Sequence, residues 1–266
     1  MLLKGKTALV TGSVQGIGLA IAKAFAAEGA RIVAHGLADA EQAATVQSEI
    51  IDAGAPEVLF FDTDMRDVAA IDDMMDKVAS LGGADILVNN AGIQKTVSLA
   101  EATPEIWDAV LSVNLSGAFH TMRRAMPQME KSGYGRVINI ASVHGLVASV
   151  NKAPYVAAKF GLVGLSKVAA LEYAPKGSKE AGGITVNCIC PGWTETALIQ
   201  PQIQTLADEH GGDWDAGVAS LVGGKQPSLR TSDSAEIGQL ALWLTNPIAH
   251  NITGASIPID GGWTAQ

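Results

Sequence analysis

The polar residues of one short stretch, Ser142 to Lys159, have types and spacings that could do chemistry. Tyr155 and Lys159 stand four apart, so on a helix their side chains share a face. An ammonium within a few ångströms favours the phenolate and lowers the tyrosine pKa, which makes the phenol a general base or acid near neutral pH. Ser142, His144 and Lys152 lie just upstream. YxxxK arises often by chance, and an arbitrary pair reads more simply as a tyrosine covering core and a lysine in solvent. A lysine in a loop is ordinarily solvated, and His144 reads equally as a structural donor.

A second group of residues points to a dinucleotide. Thr11-Gly-Ser-Val-Gln-Gly-Ile-Gly18 joins the first apolar run to the first helical pattern. Gly12, Gly16 and Gly18 allow a tight turn, so that backbone N–H groups can approach a pyrophosphate at a helix N-terminus. The spacing is GxxxGxG rather than GxGxxG. NAD and NADP are distinguished at the end of the second strand, by an acid for ribose hydroxyls or an arginine for the 2′-phosphate. Here the chain reads His35-Gly36-Leu37, and Gln15 is also uncharged. With no cationic partner for the phosphate there, NAD is expected. Asp39 could fold back to the ribose or cap the next helix.

Elements must exist to position these groups. Short apolar runs predict strands at Thr7–Thr11, Arg31–His35, Val58–Phe61, Ile86–Val88, Arg136–Ile140, Thr185–Ile189 and Ala255–Pro258. Amphipathic patterns predict helices at Ile17–Glu28, Ala40–Ala53, Val68–Leu81, Glu105–Lys131, Tyr155–Tyr173 and Asp233–Leu244. The alternation predicts an α/β, Rossmann-type doubly wound domain spanning 1–266, with a mostly parallel seven-stranded sheet and helices on both faces. Residues 194–226 break the rhythm and are expected to be a substrate lid, or else an insertion without a role. The Lys/Glu/Gly-rich 174–183 stretch is expected to be a surface loop away from the site.

Composition narrows the function. A net charge of −9 over 266 residues argues against nucleic acid as a partner. No apolar run is expected to reach membrane-spanning length, and the first residues are too short an apolar core for a signal peptide. Cys188 and Cys190, two apart on a strand, are not expected to bond to each other. A reduced, cytoplasmic setting is expected. No metal is expected.

The chain resembles the short-chain dehydrogenase/reductase family through Thr11-Gly12…Gly16-Ile17-Gly18, Asn89-Asn90-Ala91-Gly92, Asn114, Ser142, Tyr155…Lys159 and Pro191-Gly192, in that order. The resemblance implies hydride transfer between a nicotinamide and an alcohol or ketone, with Tyr155 moving the proton and Ser142 holding the substrate oxygen. It implies that Lys159 tunes Tyr155 and binds ribose, and that Asn114 relays protons through water. It places Asp64 and Met65 by the adenine, Asn90 and Gly92 by the ribose, and Pro191, Gly192, Trp193, Thr194 and Thr196 by the nicotinamide and pyrophosphate. The same pattern reading leaves Asn114 a structural alternative, a hydrogen bond to neighbouring backbone.

Within that family the chain is most similar to the bacterial branch acting on D-3-hydroxybutyrate, through Asn-Asn-Ala-Gly-Ile-Gln94, Ala-Ser142-Val-His144, Lys152-Ala-Pro-Tyr155, Cys-Pro-Gly-Trp193, Gln202-Ile203, Lys225-Gln-Pro-Ser and Asp-Gly-Gly-Trp263. That likeness implies a carboxylate site from Gln94, His144, Lys152 and Gln202, with Trp193 and Trp263 lining the pocket, and a homotetramer. A short hydroxy acid offers little apolar area, so its affinity must come from charge-assisted hydrogen bonds. The alternatives are another small alcohol, a sugar alcohol or a 3-ketoacyl thioester as substrate, and a non-catalytic dinucleotide sensor.

Overall fold

The computed structural model describes residues 1–177, 180–196 and 199–265. In chain order it forms β1 (Thr7–Val10), α1 (Gly16–Ala27), β2 (Arg31–His35), α2 (Ala40–Asp52), β3 (Val58–Phe61), α3 (Val68–Ser80) and β4 (Ile86–Asn89). There follow α4 (Pro104–Leu111), α5 (Gly117–Ser132), β5 (Tyr134–Ile140), α6 (Ala153–Tyr173) and β6 (Gly183–Pro191). The rest is β7 (Thr194–Glu195), α7 (Gln200–Glu209), α8 (Trp214–Val222), β8 (Ser232–Asp233), α9 (Ser234–Thr245) and β9 (Ser256–Ile259).

Seven strands make one sheet, ordered β3-β2-β1-β4-β5-β6-β9, and every pairing is parallel. Strands buried on both faces explain the unbroken apolar runs. Leu9, Val33, Leu87 and Val137 face α3, α5 and α6, while Val10, Ile32, Ile86 and Ile138 face α1, α2 and α9. The order reverses between β1 and β4, and crevices of such sheets open at the carboxyl ends of the strands at that point.

A chain of buried polar groups fixes the site-bearing helices to the sheet. Thr121 of α5 donates to Asn89 Oδ1 at 2.6 Å, Asn89 Nδ2 to Asn139 Oδ1 at 2.8 Å, and Asn139 Nδ2 to Ser166 Oγ of α6 at 2.7 Å. Such groups are tolerated in a core only when partnered, so the chain fixes register as well as contact.

The expected helix Glu105–Lys131 is interrupted. Ser112–Ser116 form a π-turn between α4 and α5, with Gly117 N–H reaching back to Ser112 O. The sequence reading also lacked the ribbon β7–β8. The 194–226 excursion is helical through α7 and α8, packed by Ile203, Val218 and Val222; Ala197 and Leu198 lie outside the described residues. By length and composition, α6 departs from the expectation that no run could span a membrane: it has 21 residues and a mean hydropathy of 1.2. One face of it, with Ala158, Leu162, Ala169 and Ala170, is buried in the core.

Of the 174–183 stretch, Ser178 and Lys179 lie outside the described residues. Its end is tethered by the buried Arg136, whose guanidinium donates to Gly182 O and Gly183 O and stands 4.6 Å from the Tyr134 ring centroid. This is the amino-terminal edge of the sheet, and no described residue of the stretch lines the cavities at the other edge. Cys188 and Cys190 are buried free thiols; burial raises both, Cys190 to about 12, so neither is a nucleophile at neutral pH.

Candidate active site

Two cavities open at the carboxyl edge, of about 550 and 570 Å³. They share Ile17, Asn90, Gly92, Ile93 and Thr196 in their walls, and so form one cleft.

The half nearer β2 is walled by Gly12, Gln15, Gly16, Leu37, Asp64 and Met65. Gly12 has φ +64°, and a Cβ there would lie 2.8 Å from Ala91 Cα. A Cβ on Gly18 would lie 2.2 Å from Gly12 O, so Gly18 serves helix packing and lines neither cavity. No side chain caps the start of α1, leaving its first N–H groups for an anion. Asn90 Nδ2 donates to Thr11 O and Gly12 O at 3.0 and 2.9 Å, tying the glycine loop to β4.

His35 cannot serve a 2′-phosphate. Its Nδ1 accepts from Gly12 N–H at 3.1 Å, so Nε2 carries the proton towards Thr63 O at 2.8 Å. Burial lowers its pKa, and the ring is a neutral brace under the loop. Asp39 caps α2, accepting from Gln42 N–H. One cation was missed by the sequence reading: Arg66 lines this half, yet Nε and Nη2 engage Asp64 at 3.0 and 2.6 Å. Its hydrogen bonds hold the Asp64 carboxyl below the usual range.

The other half gathers Ser142, His144, Lys152, Tyr155 and Lys159 with Gln94, Trp193, Gln202 and Trp263. Pro191, Gly192 and Thr194 complete the wall towards the first half. The Lys152 backbone bridges Val97 in parallel, which brings the turn bearing Gln94 beside the start of α6. Asp260 uses both carboxylate oxygens on the Gly262 and Thr264 turn, and this seats Trp263 edge-on to His144 at 5.5 Å.

Burial reverses one expectation. Tyr155 is pushed up rather than down, with a hydrogen bond to Ser142 easing it back. Lys159 is buried with Nζ 5.6 Å from the Tyr155 ring centroid, donates to Ile140 O at 2.8 Å, and is itself lowered to about 8 by burial. His144 is lowered to about 4, by burial first and then by Lys152 and Lys225, so it is neutral at pH 7 and has no charge for a carboxylate. Positive charge in this half comes from Lys152, 5.6 Å from the Trp193 ring centroid, and from Lys225, 5.2 Å from that of Trp263. The sequence pattern carries Lys225 only within the matching Lys225-Gln-Pro-Ser piece, without a role of its own. No Asp or Glu is among the described residues lining this half.

Asn114 does not line either cavity. It is buried in the π-turn, and its amide is engaged with Ile93.

The cleft fits a nicotinamide dinucleotide. The glycine cradle would be filled by a Cβ, and buried Trp193 Nε1 and Thr194 Oγ1 have no partner among the described residues. Among the described residues no group of His, Cys, Asp and Glu could hold a metal.

The profile of the family described as short chain dehydrogenase matches residues 6–207. The chain is 48% identical to the D-beta-hydroxybutyrate dehydrogenase of Cupriavidus necator over 100% of both chains. It is 45% identical to the enzyme of that name from Rhizobium meliloti, over 98% of this chain and 99% of that one. The structure of L-sorbose reductase from Gluconobacter frateurii, complexed with NADPH and L-sorbose, superposes with a TM-score of 0.90 at 30% identity, covering 100% of this chain and 99% of that one.

Proposed function

The chain belongs to the short-chain dehydrogenase family, and from that premise we propose that it catalyses the reversible, NAD-dependent oxidation of (R)-3-hydroxybutyrate to acetoacetate. The observation that carries the substrate is the charge of the pocket: Lys152 and Lys225 line it beside Gln94 and Gln202, with no acid among its described lining residues. A small anion gains from those ammoniums what a neutral alcohol of the same size cannot. The two full-length relatives named D-beta-hydroxybutyrate dehydrogenase support the same reading.

The bound dinucleotide would accept the hydride from the carbon bearing the hydroxyl. The protein's own groups do the rest. Tyr155 takes the hydroxyl proton in oxidation and returns it in reduction. Ser142 hydrogen-bonds the same oxygen. Lys159, within the Tyr155 face of α6, favours the phenolate and holds ribose. Trp193 and Trp263 exclude water from the small pocket, and α7, bearing Gln202, acts as the lid. NAD is the favoured cofactor because His35 is a buried neutral brace and Arg66 is already paired. NADPH in the sorbose reductase keeps the NADP arm in the test.

A homotetramer is part of this reading, supported by exposed Phe119, Phe160, Val168 and Leu171 on α5 and α6; light scattering measures it. The experiment for the activity is initial rates on a panel of hydroxy acids, sugar alcohols and 3-ketoacyl thioesters, each with NAD and NADP. Faster turnover of a polyol or thioester than of 3-hydroxybutyrate overturns the substrate.

A further inference from the structure

A hydrogen-bond chain leads from Lys225 to Ser142. Lys225 Nζ donates to Ser149 Oγ at 2.8 Å. Ser149 Oγ lies 3.0 Å from His144 Nε2, and His144 Nδ1 lies 3.3 Å from Ser142 Oγ. The His144 backbone N–H donates to the same Ser142 Oγ at 3.1 Å. The imidazole is wedged edge-on between Tyr155, at 5.9 Å, and Trp263, at 5.5 Å.

Counting protons gives the chain a direction. A serine hydroxyl has one proton and two lone pairs, and an ammonium only donates. Lys225 therefore occupies one Ser149 lone pair. If His144 Nε2 were protonated, it would occupy the other. The Ser149 proton would then have no acceptor among its described partners. Ser142 would at the same time have to spend its only proton on His144 Nδ1, with none left for the cavity or for Tyr155, to which it is hydrogen-bonded. With the ring proton on Nδ1, every group is satisfied. Ser149 donates to Nε2. Nδ1–H and the backbone N–H fill both Ser142 lone pairs, and the Ser142 proton points outward.

We propose that Lys225 and Ser149 are positioning residues: they drive a one-way donor chain, Lys225 to Ser149 to His144 to Ser142, that fixes the Nδ1–H tautomer of His144 and turns the Ser142 hydroxyl proton towards the reacting oxygen. Successive donors polarise one another, so the last hydroxyl is a stronger donor than an isolated serine, and an oriented donor at a developing charge needs no rearrangement during reaction. The identity of that oxygen rests on the function proposed above; the tautomer does not.

Two readouts test the chain. Nitrogen NMR of histidine-labelled protein, with His144 assigned by its loss in His144→Gln, should find the resting ring protonated on Nδ1. A proton on Nε2 overturns the proposal. Ser149→Ala should mix the two tautomers and lower kcat about tenfold, the factor of one weakened hydrogen bond, with KM for the acid changed less than about twofold. Ser149→Thr, which keeps the hydroxyl, should recover most of the loss, and Lys225→Met should lower kcat in the same sense. An Ser149→Ala enzyme with unchanged kcat, or with the loss in KM alone, overturns the proposal. A wild type that turns over no hydroxy acid overturns the substrate reading instead, and the ring tautomer then decides the chain.

Discussion

The side-chain amide of Asn114 and the backbone of Ile93 hold each other at both ends: Oδ1 accepts from Ile93 N–H at 2.8 Å and Nδ2 donates to Ile93 O at 2.9 Å. The π-turn is what places the amide there, in the wall behind the turn that carries Gly92 and Gln94. Asn114→Ala removes two partners at once. Stability should fall by about 1–3 kcal/mol, the range for leaving such groups unsatisfied, in urea unfolding. KM for the acid should rise as the Gln94 turn loosens. A full kcat loss at unchanged stability would instead favour the water-relay role.

Tyr155→Phe removes the phenolic oxygen proposed to exchange the proton with the substrate oxygen while leaving the ring in place. It should bind NADH normally, by fluorescence titration, and lose about 10²–10⁴-fold in kcat, the usual share of general acid–base catalysis. Turnover near that of wild type would remove Tyr155 from the mechanism.

Lys152→Ala should lose more on 3-hydroxybutyrate than on its methyl ester. Charged hydrogen bonds are worth about 1.5–3 kcal/mol, so kcat/KM for the acid should fall about 10- to 150-fold. The ester never used the ammonium. Equal losses on both would mean that Lys152 acts on folding or on Tyr155.

Cofactor preference should reside in the Asp64–Arg66 pair. Wild type is expected to favour NAD over NADP by at least about tenfold in kcat/KM, one modest charged hydrogen bond. Asp64→Ala releases the Arg66 guanidinium at the mouth of the adenosine half and should narrow that ratio, also by about tenfold. An unchanged ratio would place the 2′-phosphate beyond the reach of Arg66.

The strands and the YxxxK face were legible because each is a local pattern: ALV and ILV runs belong to strands buried on both faces, and four residues is one helical turn. What escaped had no local pattern. Helical periodicity does not distinguish the i→i+5 turn at Ser112–Ser116 from ordinary helix. Lys225 and Ser149 meet across the fold, 76 residues apart, and no local spacing ties Lys225 to His144 or Ser142. The sign of the Tyr155 shift followed from spacing alone in the sequence, where burial is invisible; in the structure burial outweighs the hydrogen bond from Ser142 that eases it back. Arg66 lies outside the end of β2, where cofactor choice is read in sequence; it reaches this wall from the loop after β3.

His144 should make stability depend on pH between about 6.5 and 4. Its ordinary value of 6.5 is depressed to about 4 in the fold, chiefly because burial disfavours the imidazolium and then because Lys152 and Lys225 repel it. Above 6.5 the ring is neutral in folded and unfolded chains alike, and its full contribution is present. As pH falls below 6.5 the unfolded chain takes up a proton that the folded chain refuses, so stability falls by about 1.4 kcal/mol per pH unit. The decline stops near 4, where the folded ring also protonates, after a loss on the order of 3 kcal/mol. His35 is lowered as well and contributes to the same slope, so wild type alone does not isolate His144. Urea unfolding of wild type and His144→Gln at about pH 7 and about pH 4.5 does. The variant should lose less stability than wild type between the two conditions, by on the order of 2–3 kcal/mol. Parallel losses in the two proteins would mean that the ring is charged in the folded site, and with it that Nδ1 and Nε2 both donate.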